Sequence, residues 1–225
     1  MIRKSKQIIS VVTADIIRSR RYSPNLRNRI DSAVKKAFAD LARKYPKAIH
    51  TKLAFRITVG DEFQCVFLDV PHSFDLLTYL RASVALSGIE PLVSFRAAIG
   101  VGGISIGGKT NPYEEDGEAF VRARKGVEQL KKRKRLTTLI TENAEIDRVA
   151  DLILSFTDRL QKGWTLPQWE AVKWTLLGLK REEVSEKLNV AHQNVSKRLS
   201  AAGWQEFKEA SHFVRELLGN VQNSN

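Results

Sequence analysis

The chain has 225 residues, 43% of them hydrophobic, and a formal charge of +12 from 37 Lys and Arg against 25 Asp and Glu. That is enough apolar material for one sizeable core, or for a larger domain and a small one. No apolar run nears the roughly 18 residues of a membrane span, and the opening MIRKSKQIISVV lacks a secretory h-region, so the expected setting is the cytoplasm with no membrane partner.

The charge is uneven. Residues 1–50 carry 13 Lys and Arg against 3 Asp and Glu, whereas residues 151–225 carry 10 against 9. A positive N-terminal field attracts phosphates, on nucleotides or on nucleic acid; a basic surface kept for solubility is the plainer alternative. The single cysteine, Cys65, excludes an intramolecular disulfide and reads as a small buried hydrophobe.

In chain order, Gln7 to Thr13 is a β-branched run that predicts a buried strand, with Asp15 directly after it. Ser23-Pro24 supplies an N-cap and a first helical position for a helix to about Tyr45, with an apolar stripe at Leu26, Ile30, Ala33, Val34, Ala37, Phe38 and Leu41. Leu53, Phe55, Ile57 and Val59 alternate as a second strand, and Phe63 to Leu68 form a third. A helix is expected from Pro71 to about Leu86, a strand from Leu92 to Val101, a helix from about Gly117 to Lys132, and a short strand in LTTLIT. The glycines of GVGGISIGG do not follow a strand-turn-helix order, so they read as a kinked strand and turn that admits a ligand or another backbone. KKRKR, Lys131 to Arg135, reads as a solvated helix end favoured by the helix dipole, or as a nucleic-acid contact.

The order strand, helix, strand, strand, helix, strand has a geometric consequence. A right-handed crossover makes the first two strands parallel, with the third between them and antiparallel to both. Asp15 and the turn bearing Asp61 and Glu62 then meet at one sheet edge. Gly60 and Asp61 could be turn chemistry alone. Three converging carboxylates, however, repel unless a cation sits among them, and oxygen ligands suit Mg²⁺.

TADI, VGDEFQCVF, FRAAIGVGGI and DGEAFVRAR resemble the four landmark segments of the nucleotidyl cyclase and diguanylate cyclase superfamily, whose palm-like domain is shared with many polymerases. VGDEF departs from the GGDEF signature at its first position, and GDEFQCVF is similar to the hairpin of class III cyclases. The whole chain resembles the SatD family. The palm resemblance implies an α+β, ferredoxin-like domain over residues 1–161 with a two-metal phosphoryl-transfer site. Asp15 and Asp61 would hold Mg²⁺ or Mn²⁺, with the Ile16 carbonyl as a further ligand and Glu62 as a third carboxylate or base. The phosphates of a nucleoside triphosphate would meet Arg18, Arg20 and Arg21. The positions aligned with the cyclases' transition-state Asn and Arg are Val121 and Lys125, with Arg122 and Arg124 as possible substitutes.

From Thr141 to Gln161 a helix is expected with Ile146, Val149, Ile153 and Phe156 on one side, and Lys162-Gly163 marks a boundary. Residues 162–225 then form a small all-α domain. Trp164, Trp169, Val172, Trp174 and Leu176 supply its core, the tryptophans filling space rather than stacking bases. EEVSEKLNVAHQNVSKRL is spaced like a helix-turn-helix and resembles sigma-factor region four: Val184 and Leu188 on the first helix, Val190 after the turn, Val195 and Leu199 on the second. Asn189 takes the left-handed turn position. Ala191, His192, Gln193, Asn194, Ser196, Lys197 and Arg198 remain outside the seam as DNA-binding candidates. A protein-binding helical module is the alternative. Phe207 to Leu218 form an amphipathic helix with Phe213, Val214, Leu217 and Leu218 suited to packing or dimerisation, and VQNSN reads as a frayed end.

The expected protein is a transcription regulator with a cyclase-like domain binding a metal and a nucleotide and a C-terminal domain binding DNA, in a homo-oligomer. An active nucleotidyl cyclase or transferase, whose helical part targets or dimerises it, is the rival.

Overall fold

A computed structural model describes residues 7–49, 55–57, 61–90, 92–104 and 117–223. Strand β1 (Gln7–Ile16) leads through a short 3-10 turn (Ser19–Arg21) into α1 (Pro24–Lys44); β2 (Phe55–Ile57) and β3 (Glu62–Phe67) follow, then α2 (Ser73–Ala85), β4 (Phe95–Ile104), α3 (Glu118–Arg133) and β5 (Thr137–Ile140). The chain ends in five consecutive helices: α4 (Ala144–Gly163), α5 (Leu166–Leu176), α6 (Arg181–Leu188), α7 (His192–Ala201) and α8 (Trp204–Asn223). This is a mixed α/β molecule consistent with an α+β class. No described helix is long and apolar enough to cross a membrane.

The five strands lie in the order β2-β3-β1-β4-β5. β3 runs antiparallel to both β1 and β2, so β1 and β2 are parallel with β3 between them, as the crossover argument requires. β4 runs antiparallel to β1 and parallel to β5. Leu53, Val59 and Gly60, expected in and after β2, fall outside the described residues. Glu62 begins β3 rather than sitting in the turn, which leaves Asp61 as the turn residue.

Local chemistry sets several boundaries. The Ser23 hydroxyl accepts the Leu26 N–H at 3.3 Å and Pro24 occupies the first position of α1, so the cap satisfies one of the donors that a helix start leaves free. The alternation of β1 divides its side chains between two layers. Val12, Ala14 and Ile16 join the core under α1 and α2, whereas Ile9 and Val11 pack with Ala119, Phe120 and Ala123 of α3. Glycine lets α3 lie close on β4: a Cβ at Gly100 would stand 2.3 Å from both the Ala119 carbonyl oxygen and the Ala123 nitrogen. The glycines of β4 thus serve the approach of another backbone. Cys65 is fully buried, and burial pushes its thiol pKa up.

The C-terminal helices rest on α2. The Phe74 and Phe207 rings lie 5.6 Å apart, Arg215 pairs with Asp75 at 2.6 Å, and the Ser211 hydroxyl also donates to Asp75. Trp164 and Trp169 are buried and meet edge to face at 4.5 Å, and the Trp164 Nε1–H donates to the Ala202 carbonyl at 2.7 Å. They fill space, as expected. The inner face of α4 differs from expectation: Ala150, Leu154, Thr157, Asp158 and Gln161 are buried, while Val149 and Phe156 are exposed. Polar Asp158 and Gln161 face inward because they satisfy groups at the sheet edge. Helix α8 runs to Asn223 with Val221 buried, so the frayed end expected from Val221 onward is helical to that point.

Candidate functional site

Asp15, the penultimate residue of β1, has Glu62 opposite it on β3 and Arg96 opposite it on β4. Because residues in register share a face, all three side chains belong to the layer covered by α3, whose Lys131 completes the group. Arg96 Nε lies 3.2 Å from one Asp15 oxygen, and Lys131 Nζ lies 3.8 Å from the other and 3.1 Å from Glu128. The Ile16 N–H donates to the Asp61 carbonyl at 3.1 Å, and the Asp61 carboxylate accepts the Ser19 hydroxyl. The sheet topology therefore brings Asp15, Ile16, Asp61 and Glu62 together, although 46 positions separate Asp15 from Asp61.

The electrostatics follow from burial and crowding. Burial raises the Asp15 pKa; Lys131 and Arg96 pull it down, and Asp61 and Glu128 push it up. Glu62 is raised in the same way, by burial first, with Asp15, Glu128 and Asp61 adding to it against Lys131. Burial alone would lower the Lys131 pKa, but its hydrogen bond to Glu128 and the charges of Asp15, Glu128 and Glu62 raise it. The acidic edge thus resists ionisation, with an ammonium and a guanidinium beside it.

Among the described residues, no group of three or more His, Cys, Asp and Glu is gathered as a metal cage. The expected ligand set of Asp15, the Ile16 carbonyl, Asp61 and Glu62 shares one edge, but Lys131 and Arg96 supply the counter-charge there. Mg²⁺ does not require a full protein cage. It keeps several waters and commonly takes one or two carboxylates plus substrate phosphates, and carboxylate oxygens are the donor type present at this edge.

The cations around this edge differ from those expected. Arg122 turns its guanidinium to the Val101 carbonyl at 2.5 Å and to Glu118 at 3.8 Å. Val101 is five residues along β4 from Arg96, roughly 17 Å at about 3.3 Å per residue. Arg122 is therefore not beside Asp15, and Lys125, one turn on from Val121, is exposed. Lys131 reaches the acids because α3 runs antiparallel to β4, with Gly126 against Ala98. The rest of the basic run also faces inward in part: Arg133 and Arg135 pair with Asp151 at 3.4 and 3.3 Å.

Arg96 was missed. Its signal was present in FRAAIGVGGI, where it is the one charged residue of an otherwise apolar strand. Of the arginines after β1, Arg20 is exposed, whereas Arg18 and Arg21 line a separate cleft described below.

In the C-terminal helices, α6 and α7 are joined by a three-residue turn in which Asn189 is left-handed, φ 50°. Val184, Val195 and Leu199 are buried, and Leu188 and Val190 are partly so. Ala191, His192, Gln193, Asn194 and Lys197 are exposed, and Ser196 is half-buried. Two candidates have intramolecular partners: Arg198 pairs with Glu170 of α5 at 3.0 Å, and His192 lies 3.2 Å from Glu182.

A model of the SatD family matches residues 9–218, nearly the whole chain. No curated protein matches.

Proposed function

The chain belongs to the SatD family, and from that premise we propose that it is a DNA-binding regulator whose N-terminal α+β part responds to a Mg²⁺-nucleotide. The observation that carries the DNA-binding half is α7: Val195 and Leu199 anchor it while Gln193, Asn194 and Lys197 face outward. Amides read adenine edges and lysine meets phosphate, and a left-handed Asn189 gives the sharp turn of a helix-turn-helix. Residues 162–225 form this DNA-binding module.

The N-terminal half of the reading rests on the acidic edge. The order β4-β1-β3-β2, with α1 and α2 as the crossovers, supports a ferredoxin-like palm over residues 1–161. In it Asp15 and the 61–62 pair hold a Mg²⁺ or Mn²⁺ that a nucleoside triphosphate carries in, and the metal supplies charge neutralisation to the phosphates. Lys131 and Arg96 orient the phosphate oxygens. Exposed Leu152, Phe156 and Phe213 support self-association.

Anisotropy of a labelled genomic DNA fragment tests this reading. Binding is expected to weaken steeply with salt and to be lost in a Gln193→Ala/Asn194→Ala/Lys197→Ala variant. Equal binding by that variant refutes the DNA interface. DNA affinity unchanged by every nucleoside triphosphate tried with Mg²⁺ refutes the coupling, since a ligand without differential affinity shifts nothing.

One observation favours the rival enzyme: Asp15 and Glu62 both have raised pKa values at one edge, a pattern found at catalytic sites. A nucleotide product formed by the native chain and lost in Asp15→Asn and Asp61→Asn would establish turnover.

A further inference from the structure

On the opposite face of the sheet from Asp15, the end of β1, the start of β4, α2 and the α4-α5 junction enclose a cleft of about 790 Å³, a size typical of small-molecule sites. Consecutive β4 residues divide the two places: Arg96 faces the acids, and Phe95 faces the cleft. Arg18, Arg21 and Lys162 line it together with Arg81, and among the described residues no Asp or Glu does.

Two residues that line the cleft carry buried side-chain donors. Arg81 and Gln161 are 6% and 4% exposed, and both line the cleft. Arg81 Nη1 donates to the Thr137 hydroxyl at 2.7 Å and the Gln161 carbonyl oxygen at 3.1 Å, and Nη2 donates to the Leu136 carbonyl at 2.8 Å. That leaves Arg81 Nε and Gln161 Nε2 buried without a partner. Asp158, the nearby acid, spends its oxygens on the Leu136 and Thr137 N–H groups and the Thr137 hydroxyl.

We infer that this cleft binds a small organic phosphate, its phosphate on the Arg81, Arg18, Arg21 and Lys162 donors and its apolar body against Phe95 and Trp169. Asp158 offsets Arg81, but the surplus of Arg18, Arg21 and Lys162 in the lining favours a doubly charged anion over a singly charged carboxylate, and guanidinium forks match phosphate oxygens. Burial lowers the Arg81 pKa to about 10, so it remains a cation at neutral pH. The site is separate from the proposed metal-nucleotide edge and needs no metal. Because Gln161, Lys162 and Trp169 straddle the α4-α5 junction, the ligand bridges the sheet to the C-terminal helices.

Calorimetry of the full chain in EDTA, with phenyl phosphate as probe, tests the assignment. One binding event per chain is expected, weakened at least tenfold in Arg18→Ala/Arg21→Ala, whose positions are exposed, and unchanged in Asp15→Asn. Trp169→Phe is expected to abolish the accompanying fluorescence change. Benzoate, with the same ring and a carboxylate, is expected to bind at least tenfold more weakly. The proposal is overturned by no binding of phenyl phosphate, by equal binding in the double variant, by loss in Asp15→Asn, or by benzoate binding as well. The DNA measurements are independent of this result, so either reading can fail alone.

Discussion

Asp15 and Glu62 stand directly opposite each other on β1 and β3, two acids in a cross-strand position where like charges destabilise a sheet. Burial makes their ionised forms unfavourable, Asp61 and Glu128 add to this at both and Asp15 at Glu62, and Lys131 at both and Arg96 at Asp15 compensate only in part.

The pH dependence of stability follows from the sign of these shifts. A carboxyl whose pKa is higher folded than unfolded binds its proton more tightly in the fold. Its contribution is therefore present at low pH and is lost as pH rises through its folded value. Asp15→Asn removes one such group. Its melting temperature is expected to exceed that of the native chain at pH 8, with the difference shrinking as pH falls through the carboxylate range. A variant less stable at pH 8 would mean that the Arg96 and Lys131 pairing outweighs burial.

Gly100→Ala tests the seating of α3. The new methyl meets backbone at 2.3 Å, which no side-chain rotation relieves, so a loss of about 3 kcal/mol is expected in urea unfolding. Gly163→Ala, where nothing lies within 4 Å of the added Cβ, is expected to change stability by less than about 1 kcal/mol.

Asn189 is left-handed at φ 50°. Asn189→Ala is expected to cost about 1 kcal/mol in thermal unfolding, and Asn189→Gly to cost nothing or to stabilise.

Arg198 and Lys197 are adjacent but should behave differently. Arg198→Ala and Glu170→Ala are expected to show a non-additive stability loss in a double-mutant cycle, because their pair is part-buried and joins α7 to α5. Lys197→Ala should leave stability unchanged and reduce the salt slope of DNA binding by about 1.

Much of this architecture was legible where local chemistry decided it. Ser23-Pro24 marked the start of α1, the β-branched run marked β1, Asn189 marked the turn, and the crossover rule paired Asp15 with the 61–62 segment. The cations at the acidic edge were not legible, because which α3 residue meets Asp15 depends on how far the helix slides along β4. That slide is set by close contacts at Gly100 and Gly126, not by periodicity. The inner face of α4 was misread for a related reason. Apolar spacing favoured Ile146, Val149, Ile153 and Phe156, of which Ile146 and Ile153 pack against the core, but Asp158 and Gln161 turn inward to bind Thr137 and Arg81, and a polar side chain with a distant partner carries no local signature.

Helix α2 has eleven of its thirteen residues buried, because α1 flanks it on one side and α5 and α8 on the other. A segment enclosed on both flanks cannot drift freely during evolution: a change that suits α1 must at the same time suit α5 and α8. The packing of α1 is therefore coupled through α2 to that of the C-terminal helices. Chimeras between distant relatives should fold only when α2 comes from the same parent as the neighbours on both of its sides.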